Sequence, residues 1–336
     1  YSPMKFHLHG SARTVADVLK RARAAEAAGF AGIFLADSQP TTLDPFQTLS
    51  LCATQTNRIR LGTAVSNMVY RDPTILANAA ATVNEISDGR AVLGMGTGDG
   101  PVYRLGRTAT RLAQFEEGIR TLRTLLQGKP ISVPGGKERR EGKVTLRVGK
   151  LPVPVYISAE GPRTLRLAGR AADGVILGSG FDLRVLEWAR DQIAEGAREA
   201  GRSPSEIDIM PAGMIYVDAD GSRARRLVRP RLANRAHHNF RFTMETVPLE
   251  EAPGVKRFME GFDVTKPIEE RIDPALVTDY LVERFTIAGT PEECTAKIRS
   301  LEQAGVRSLL LTPPDADYSE VMEAWGRSVI PFFQNG

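Results

Sequence analysis

Cysteine is nearly absent from this sequence of 336 residues. Its only two cysteines, Cys52 and Cys294, stand far apart in the chain. A disulfide framework needs several paired cysteines, and a structural zinc site needs closely spaced cysteine or histidine ligands. The sequence therefore offers neither a disulfide-built scaffold nor a cysteine-based metal centre.

Long hydrophobic runs and a dominant charge sign are also lacking. No apolar run reaches the length of a membrane span, and no charged segment followed by an apolar one resembles a leader. The 44 basic and 40 acidic residues are mixed along the chain and leave a net charge of +4. Such a balance does not call for a nucleic acid or a membrane as partner. We expect a cytoplasmic protein.

Two local features could suggest other partners. The segment Ser222–Arg235, "SRARRLVRPRLANR", is strongly basic, but no aromatic residue stands among its charges as a single-stranded nucleic-acid site would need. It predicts a solvated helix face. The pair His237-His238 has no second set of ligands in view, so we expect no metal site.

What the chain does have is a recurring unit, in which an alanine-rich helix ends at a glycine and a short apolar strand follows. Glycine suits the left-handed position after a helix, and continuous apolar strands are typical of a parallel sheet covered on both faces. The unit recurs as "AAEAAGFAGIFLADS", "VNEISDGRAVLGMGTG", "RLAGRAADGVILGSG" and "SLEQAGVRSLLLTPP".

Eight such strands with crossover helices predict a (β/α)8 barrel better than an open doubly wound sheet. We predict one domain over residues 1–336, with two departures from the repeat. Residues of about 128–150 predict a surface hairpin, and residues of about 236–273 predict a lid or a pocket wall. The strands are predicted at Lys5–His9, Gly32–Ala36, Ile59–Val65, Ala91–Met95, Val153–Ser158, Gly174–Leu177, Ile207–Tyr216 and Ser308–Leu311.

The stretch Leu93–Gly100, "LGMGTGDG", carries glycine at alternate positions. A dinucleotide fingerprint has a different spacing and follows the first strand, so that interpretation is weak. The stretch fits a buried strand that ends in a flexible turn. It also fits a strand end in a barrel, where a flat ligand lies too close for side chains.

In a (β/α)8 barrel the chemistry lies at the carboxyl ends of the strands. Small residues dominate those predicted ends, which favours a broad, flat ligand packed against backbone. The ends are His9, Asp37-Ser38-Gln39, Gly62–Asn67, Gly96–Asp99, Ser158–Pro162 and Gly178–Gly180.

These segments resemble the luciferase-like flavin oxidoreductases, the bacterial luciferase superfamily. Within it they are most similar to the methylenetetrahydromethanopterin reductase branch, which uses the deazaflavin F420. The resemblance covers nearly the whole chain. It is carried by "LADSQ", "RIRLGTAVSN", "RDPTILANAAATVNEISDGRAVLGMGTGD", "YRLG", "VYISAEGPRTLRLAGRAADGVI" and "AGTPEECTAKIRSLEQAGV".

The resemblance implies roles for particular residues. A non-proline cis peptide is implied at Ala64-Val65, behind the flavin ring, and a loop for the phosphate-bearing chain of the cofactor at Ser158–Pro162, completed by Gly178–Gly180. A proline that opens a helix leaves free N–H donors for such a phosphate. The implied cofactor contacts are Ser38, Thr63, Ala64, Val65, Asn67, Gly98, Asp99, Ser158, Ala159, Glu160, Gly161, Pro162, Gly178, Ser179 and Gly180.

One position departs from the family pattern. Many relatives carry Asp-His after the second strand, where this chain has Asp37-Ser38. His9, on the neighbouring strand, is a candidate substitute, and Asp37 and Asp99 are carboxylates that a desolvated pocket could tune for proton transfer. The alternatives are a turn or cap role for either carboxylate and a core position for His9, as for His7.

Three functions remain open at this stage. The first is hydride transfer between reduced F420 and a small organic substrate. The second is a two-component monooxygenase, in which reduced FMN from a separate flavin reductase reacts with oxygen. The third is a phosphate-binding barrel without redox chemistry. We also expect a homodimer through the second and third helices, where the alanine-rich stretch Leu76 to Val83 permits close packing, an expectation that rests partly on analogy between folds.

Overall fold

Eight parallel strands form a closed barrel in the computed structural model, which describes residues 3–134, 142–150, 152–266 and 270–334. The predicted (β/α)8 fold is confirmed. The strands are β1 (Lys5–His9), β2 (Gly32–Leu35), β3 (Arg60–Thr63), β4 (Ser66–Asn67), β5 (Ala91–Gly96), β6 (Ile131–Val133), β7 (Gly142–Val144), β8 (Val155–Ala159), β9 (Gly174–Leu177), β10 (Asp208–Val217), β11 (Thr286–Gly289) and β12 (Ser308–Thr312).

The barrel closes because its first and last strands pair. Strand β1 lies between β12 and β2, with Lys5 opposite Ser308 and His7 opposite Gly32. The order continues through β3, β5, β8 and β9 to β10, which pairs with β12 and completes the ring. The eight barrel strands are the eight that the sequence predicts. Strand β11 is an addition beside the carboxyl half of β10.

Helices connect the strands and cover the barrel. They are α1 (Val15–Ala27), α2 (Pro45–Gln55), α3 (Pro73–Ile86), α4 (Gly100–Arg104), α5 (Leu112–Leu126), α6 (Pro162–Ala171), α7 (Leu183–Glu199), α8 (Gly221–Thr243), α9 (Ala252–Gly261), α10 (Asp279–Phe285), α11 (Pro291–Gln303), α12 (Tyr318–Ser328) and α13 (Pro331–Gln334). None of the helices within the described residues is long and apolar enough to cross a membrane.

Local sequence signals set the helix boundaries. The Thr290 side chain accepts a hydrogen bond from the Glu293 N–H, and the Glu293 carboxylate accepts one from the Thr290 N–H, which makes a capping box at the start of α11. Gly29, Gly89 and Gly305 have φ of 87°, 90° and 85°. Left-handed glycine ends three of the helices as the recurring unit predicts.

The barrel interior has its own small hydrophobic cluster. Phe34, Val92, Ile176, Met210, Ala212 and Leu310 fill it, while a larger cluster lies between the barrel and its helices. His7 is buried in the interior and contacts Phe34 edge-on, with the ring centroids 5.4 Å apart. His7 is therefore a core residue, which is one of the alternatives that the sequence leaves open.

Two predicted elements have different bounds in the structure. The third strand, expected to reach Val65, ends at Thr63, and a cis peptide at Ala64-Val65 separates it from β4. The lid or pocket wall predicted from residue 236 onward begins inside α8, a helix that continues through Pro230 to Thr243. Strands β6 and β7 form the expected hairpin, whose residues 135–141 lie outside the described part.

The alanine-rich stretch of α3 faces the barrel. Ala77, Ala80 and Ala81 are buried within the chain, whereas Ile75 and Ile86 are exposed. A face covered by the chain's own core cannot pack against a second copy. The homodimer through the second and third helices stays a prediction.

Candidate functional site

The mouth of the barrel has a floor of small residues. Side chains of a strand alternate between its two faces, so the positions that follow the interior residues Val92, Tyr156 and Ile176 by even steps also point inward. They are Gly96, Ser158 and Gly178, and Ala64, which packs against the interior cluster, follows β3. A broad, planar ligand can lie on such a floor and contact backbone.

The turn after β3 shapes one side of this floor. The peptide between Ala64 and Val65 is cis, as the family resemblance implies. A Cβ atom added at Gly96 would lie 2.8 Å from Cγ2 of Val65, so the valine side chain occupies the space that the glycine leaves. Both residues therefore form one surface at the mouth.

Thr63, an implied cofactor contact, serves the backbone instead. Its hydroxyl donates to the Gly94 carbonyl at 2.7 Å and accepts from the Gly94 N–H at 2.9 Å. The side chain is buried and both of its hydrogen-bonding functions are used. Thr63 joins β3 to β5 below the floor and does not face the mouth.

Asp37 is held by three donors. Its carboxylate accepts two hydrogen bonds from Arg71, one from the Ser66 hydroxyl at 2.6 Å and one from the Gln39 amide. The residue is only 3% exposed. A buried carboxylate with this many donors is a structural anchor, and we assign Asp37 to positioning the turn after β3 and not to proton transfer.

The Gln39 side chain has one hydrogen-bond acceptor without a partner. Its Oε1 atom is buried and has no hydrogen-bond partner among the described residues. Buried polar atoms are normally paired in the native state. An unpaired acceptor beside the mouth is consistent with a ligand N–H that pairs with it.

His9 lies next to the cis turn at the mouth. Burial lowers its pKa, and Arg235 and Arg21 act in the same direction, whereas Asp315 and a hydrogen bond with the Ala64 backbone oppose them. The imidazole is therefore neutral at neutral pH. In that form one ring nitrogen donates and the other accepts.

A carboxylate–histidine–carboxylate chain crosses the other side of the mouth. Asp99, in the turn after β5, has Oδ2 3.0 Å from Nδ1 of His238 on α8. Nε2 of His238 lies 3.7 Å from Oε2 of Glu160, which follows β8. The Asp99 side chain is 53% exposed, so this row of three side chains begins in solvent and ends at Glu160, whose side chain is 7% exposed.

The loop Ser158–Pro162 divides into two parts with different partners. Helix α6 begins at Pro162 with Gly161 as its N-cap and no side-chain cap, as predicted, which leaves backbone N–H groups at its first turn. The Glu160 carboxylate, in contrast, binds Arg235 at 2.5 Å and Asn239 at 3.1 Å. Within this loop the Glu160 carboxylate is taken up by its own partners, whereas the backbone N–H groups at the start of α6 are available to an anion.

Gly178–Gly180 passes under the same network. A Cβ atom at Gly178 would meet Glu160 Oε1 at 2.2 Å, so glycine makes room for the carboxylate. Asn239 donates to the Ser179 hydroxyl at 3.1 Å, and Arg284 lies behind the loop with Asn239 Oδ1 3.0 Å away. The hydroxyl and the amide lock this loop in place.

The other implied contacts are used locally. The Ser38 hydroxyl lies 3.1 Å from the Thr41 hydroxyl in its own turn, and Asn67 Oδ1 accepts from the Val69 N–H. Gly98 has a φ of 105°, which side chains rarely adopt. Ala159 is buried in the core between barrel and helices. Ser38, Asn67 and Gly98 shape their own turns, and Ala159 packs in the core.

A family comparison decides what kind of protein this is. The luciferase-like monooxygenase family matches residues 3–308. The chain belongs to that family.

Three relatives illustrate the similarity. The 5,10-methylenetetrahydromethanopterin reductase of Methanolobus tindarius is 31% identical over 87% of this chain and 89% of its own length. An F420-dependent glucose-6-phosphate dehydrogenase of Rhodococcus jostii is 32% identical over 82% and 80%. The solved F420-dependent tetrahydromethanopterin reductase of Methanopyrus kandleri superposes with a TM-score of 0.76 at 26% identity and covers 99% of this chain and 100% of that one. The chain is accordingly an oxidoreductase.

Several residues at the site of this family member have no signal in the sequence analysis. Arg71, His238, Asn239 and Arg284 contact the predicted site residues from positions remote in sequence, and the sequence pattern raises His238 only as a metal ligand. In the described ranges no group of three or more histidine, cysteine or carboxylate residues could hold a metal ion.

Proposed function

We propose that this protein catalyses hydride transfer between F420 and a small organic substrate. The observation that carries the proposal is the floor of Ala64, Gly96, Ser158 and Gly178, where small residues beside the Val65 side chain let a planar ring lie close to backbone. The F420-dependent glucose-6-phosphate dehydrogenase and the solved F420-dependent reductase, which this chain matches over most of their length, support the choice of cofactor.

The residues present fit such a cofactor. The cis turn at Ala64-Val65 and Gly96 would lie against its ring, and the unpaired Gln39 Oε1 is an acceptor for a ring N–H. The first turn of α6 after Gly161 would take its phosphate through backbone N–H groups. When bound, F420 supplies the two-electron hydride chemistry.

The protein's own part is to position the reactants and to handle one proton. Asp99 is the proposed group that exchanges this proton with the substrate, because its carboxylate is half-exposed at the mouth and is not saturated with hydrogen-bond donors. Asp37 is the proposed anchor of the turn, and neutral His9 holds the Ala64 backbone. General acid–base catalysis of this kind contributes roughly 10²- to 10⁴-fold to a rate.

A titration of the purified protein with F420 and with FMN, followed by fluorescence, tests the cofactor. We expect F420 to bind and FMN to bind much more weakly. Turnover is then measured without oxygen, with reduced F420 and methylenetetrahydromethanopterin and with oxidised F420 and glucose 6-phosphate. These are the substrates named for the two relatives.

The same assay repeated with reduced FMN and oxygen decides between the alternatives. Oxygen-dependent product formation from FMN would make the protein a two-component monooxygenase that needs a flavin reductase as partner. Failure to bind either cofactor would overturn the proposal and leave a phosphate-binding barrel.

A further inference from the structure

We propose that Arg235 binds an anionic group, a carboxylate or a phosphate, on the small substrate of this barrel. Its guanidinium does so by exchanging its contact with Glu160 for a contact with the incoming anion. The assignment of the anion to the substrate rests on the function proposed above. The anion site itself follows from the contacts of the described residues.

The Arg235 side chain extends from α8 into the mouth of the barrel. Its Nη1 atom would lie 2.8 Å from a Cβ atom added at Gly178, so the guanidinium covers this inward position of β9. Burial is the main cause of the lowered pKa of His9, at the end of β1, and the charge of Arg235 lowers it further. Arg235 therefore acts within the mouth, on the side between β9 and β1.

Arg235 keeps hydrogen-bond donors for a ligand. Among the described residues it donates one hydrogen bond, from Nη1 to Glu160 Oε1 at 2.5 Å, and its side chain is 41% exposed. A guanidinium has five N–H groups in a planar fork, which matches the oxygens of a carboxylate or a phosphate. The N–H groups that do not face Glu160 are available to an anion that enters the mouth.

Glu160 keeps other partners when Arg235 turns away. The Asn239 amide donates to its Oε2 atom at 3.1 Å, and Nε2 of His238 lies 3.7 Å from the same oxygen. Asn239 is fully buried and held in place, whereas Arg235 is partly exposed on the opposite oxygen. The exchange therefore leaves the buried carboxylate hydrogen-bonded and avoids the cost of an unsatisfied acceptor.

A second guanidinium lies behind the same network without a carboxylate of its own. Arg284 is 1% exposed, and its Nη2 donates to Asn239 Oδ1 at 3.0 Å, which links it to Glu160. Its other hydrogen bonds end on uncharged oxygens, those of Ser179, Tyr280 and Thr243. Buried charges are normally paired. Two guanidinium groups thus share one carboxylate in this described network, and an anionic ligand supplies the second negative charge.

The neighbouring carboxylates have partners of their own. Asp182 caps α7 and pairs with Arg184 at 3.2 Å. Asp99 has Nδ1 of His238 3.0 Å away. Within the described ranges Arg235 pairs with neither of them.

The site at Arg235 is separate from the place proposed for the phosphate of the cofactor. That place is the first turn of α6, where Cβ of Phe242 lies 3.3 Å from a Cβ atom added at Gly161. Phe242 lies two turns beyond Arg235 on α8, which is about 10 Å along the helix axis. An anion at Arg235 therefore comes from the other ligand of the mouth, the substrate.

Nuclear magnetic resonance with inorganic phosphate tests the anion site without cofactor or turnover. The chain has four histidines, so a sample with ¹⁵N-labelled histidine gives a short spectrum, in which His9→Gln and His7→Gln assign the two signals of interest. Phosphate replaces chloride at constant ionic strength and pH. We expect the His9 signal to shift until it saturates, and the signal of His7 in the barrel interior to stay unchanged.

Variants on α8 identify the residue that binds the phosphate. Arg235→Gln should abolish the His9 response, and Arg235→Lys should weaken it because an ammonium lacks the planar fork. Arg231→Gln, at an exposed arginine one turn earlier on the same helix, is the matched control and should keep the response. Thermal unfolding shows that each variant is folded. A wild-type His9 response in Arg235→Gln would overturn the proposal.

Glu160→Gln should change phosphate binding in the opposite direction. It removes the carboxylate that competes with phosphate for Arg235. The phosphate concentration at half-response should fall about 10-fold, as expected for one hydrogen bond to a charged group. Equal or weaker phosphate binding in this variant would contradict an exchange of partners at Arg235.

The phosphate titration repeated in saturating oxidised F420 separates the two sources of an anion. A His9 response that persists in the F420 complex supports a substrate site beside the cofactor. Loss of the response in the complex alone would assign Arg235 to the phosphate of the cofactor and overturn the substrate assignment. Failure to bind F420 would contradict the proposed function and with it the substrate assignment, whereas the cofactor-free titration would still decide the anion site.

Discussion

Arg71 donates two hydrogen bonds to Asp37, from Nε to Oδ2 at 2.8 Å and from Nη2 to Oδ1 at 3.2 Å. The same guanidinium reaches Asp44 Oδ2 at 2.6 Å. Burial opposes the charged form of Arg71, but its hydrogen bonds to Asp37 and Asp44 raise its pKa. A residue of the loop before α3 thus ties the end of β2 to the start of α2.

Arg71→Ala should strongly destabilise the protein. It leaves the buried carboxylate of Asp37 without a counter-charge, and breaking a buried pair in this way costs about 3–5 kcal/mol. Asp44→Asn is the matched control, because the Asp44 side chain is 33% exposed and water can replace the lost contact. Denaturant unfolding measures both, and equal losses in the two variants would contradict the anchoring role of Asp37.

Gly94→Ala should be among the most damaging single changes in the barrel. A Cβ atom there would lie 2.0 Å from the Thr63 carbonyl oxygen, which is backbone and cannot rotate away. We expect a loss of several kcal/mol or failure to fold, as for overpacking with a backbone shift. Gly100→Ala has no atom within 4 Å of the added Cβ and should unfold at the wild-type denaturant concentration.

The barrel was predictable because several of its strands repeat the same local signal. A glycine after a helix and a continuous apolar run mark β2, β5 and β12, and the eight predicted strands are those of the ring. The extra strand β11, "TIAG", was not predicted, because it is short and pairs only with the overhanging end of β10.

The site was only partly predictable because its partners come from remote segments. Sequence places Asp37 and Asp99 after strands, but Arg71 and His238 decide which of them is saturated. That difference depends on how α8 crosses the mouth, a tertiary fact without a local signal. Strand-end position therefore identified candidates and could not distinguish their roles.

His7 should make stability depend on pH in the acid range. Burial, with smaller contributions from Arg60 and Lys5, lowers its pKa from 6.5 to about 3. Between these values the unfolded chain binds the proton and the folded chain does not, so stability falls as the pH falls. The slope from this one group is at most about 1.4 kcal/mol per pH unit.

His7→Gln removes this titration. The free energy of unfolding of His7→Gln should fall less steeply than that of the wild type between about pH 6 and pH 4, whatever its value at neutral pH. His237→Gln, which removes a half-buried imidazole, should follow the wild-type curve more closely. Parallel curves for His7→Gln and the wild type would show that His7 is not held neutral.

Val65→Asp should remove cofactor binding while the barrel stays folded. The valine side chain is half-buried at the mouth and lies over Gly96, where the ring of the proposed cofactor would pack. A carboxylate there would lose its water when the ring binds, and burying an unpaired charge is costly. Val148→Asp, at a valine that is 49% exposed and away from the barrel strands, is the control. F420 fluorescence titration and thermal unfolding are measured on both variants. Unchanged F420 affinity in Val65→Asp, with a wild-type unfolding temperature, would mean that the ring does not lie against this floor.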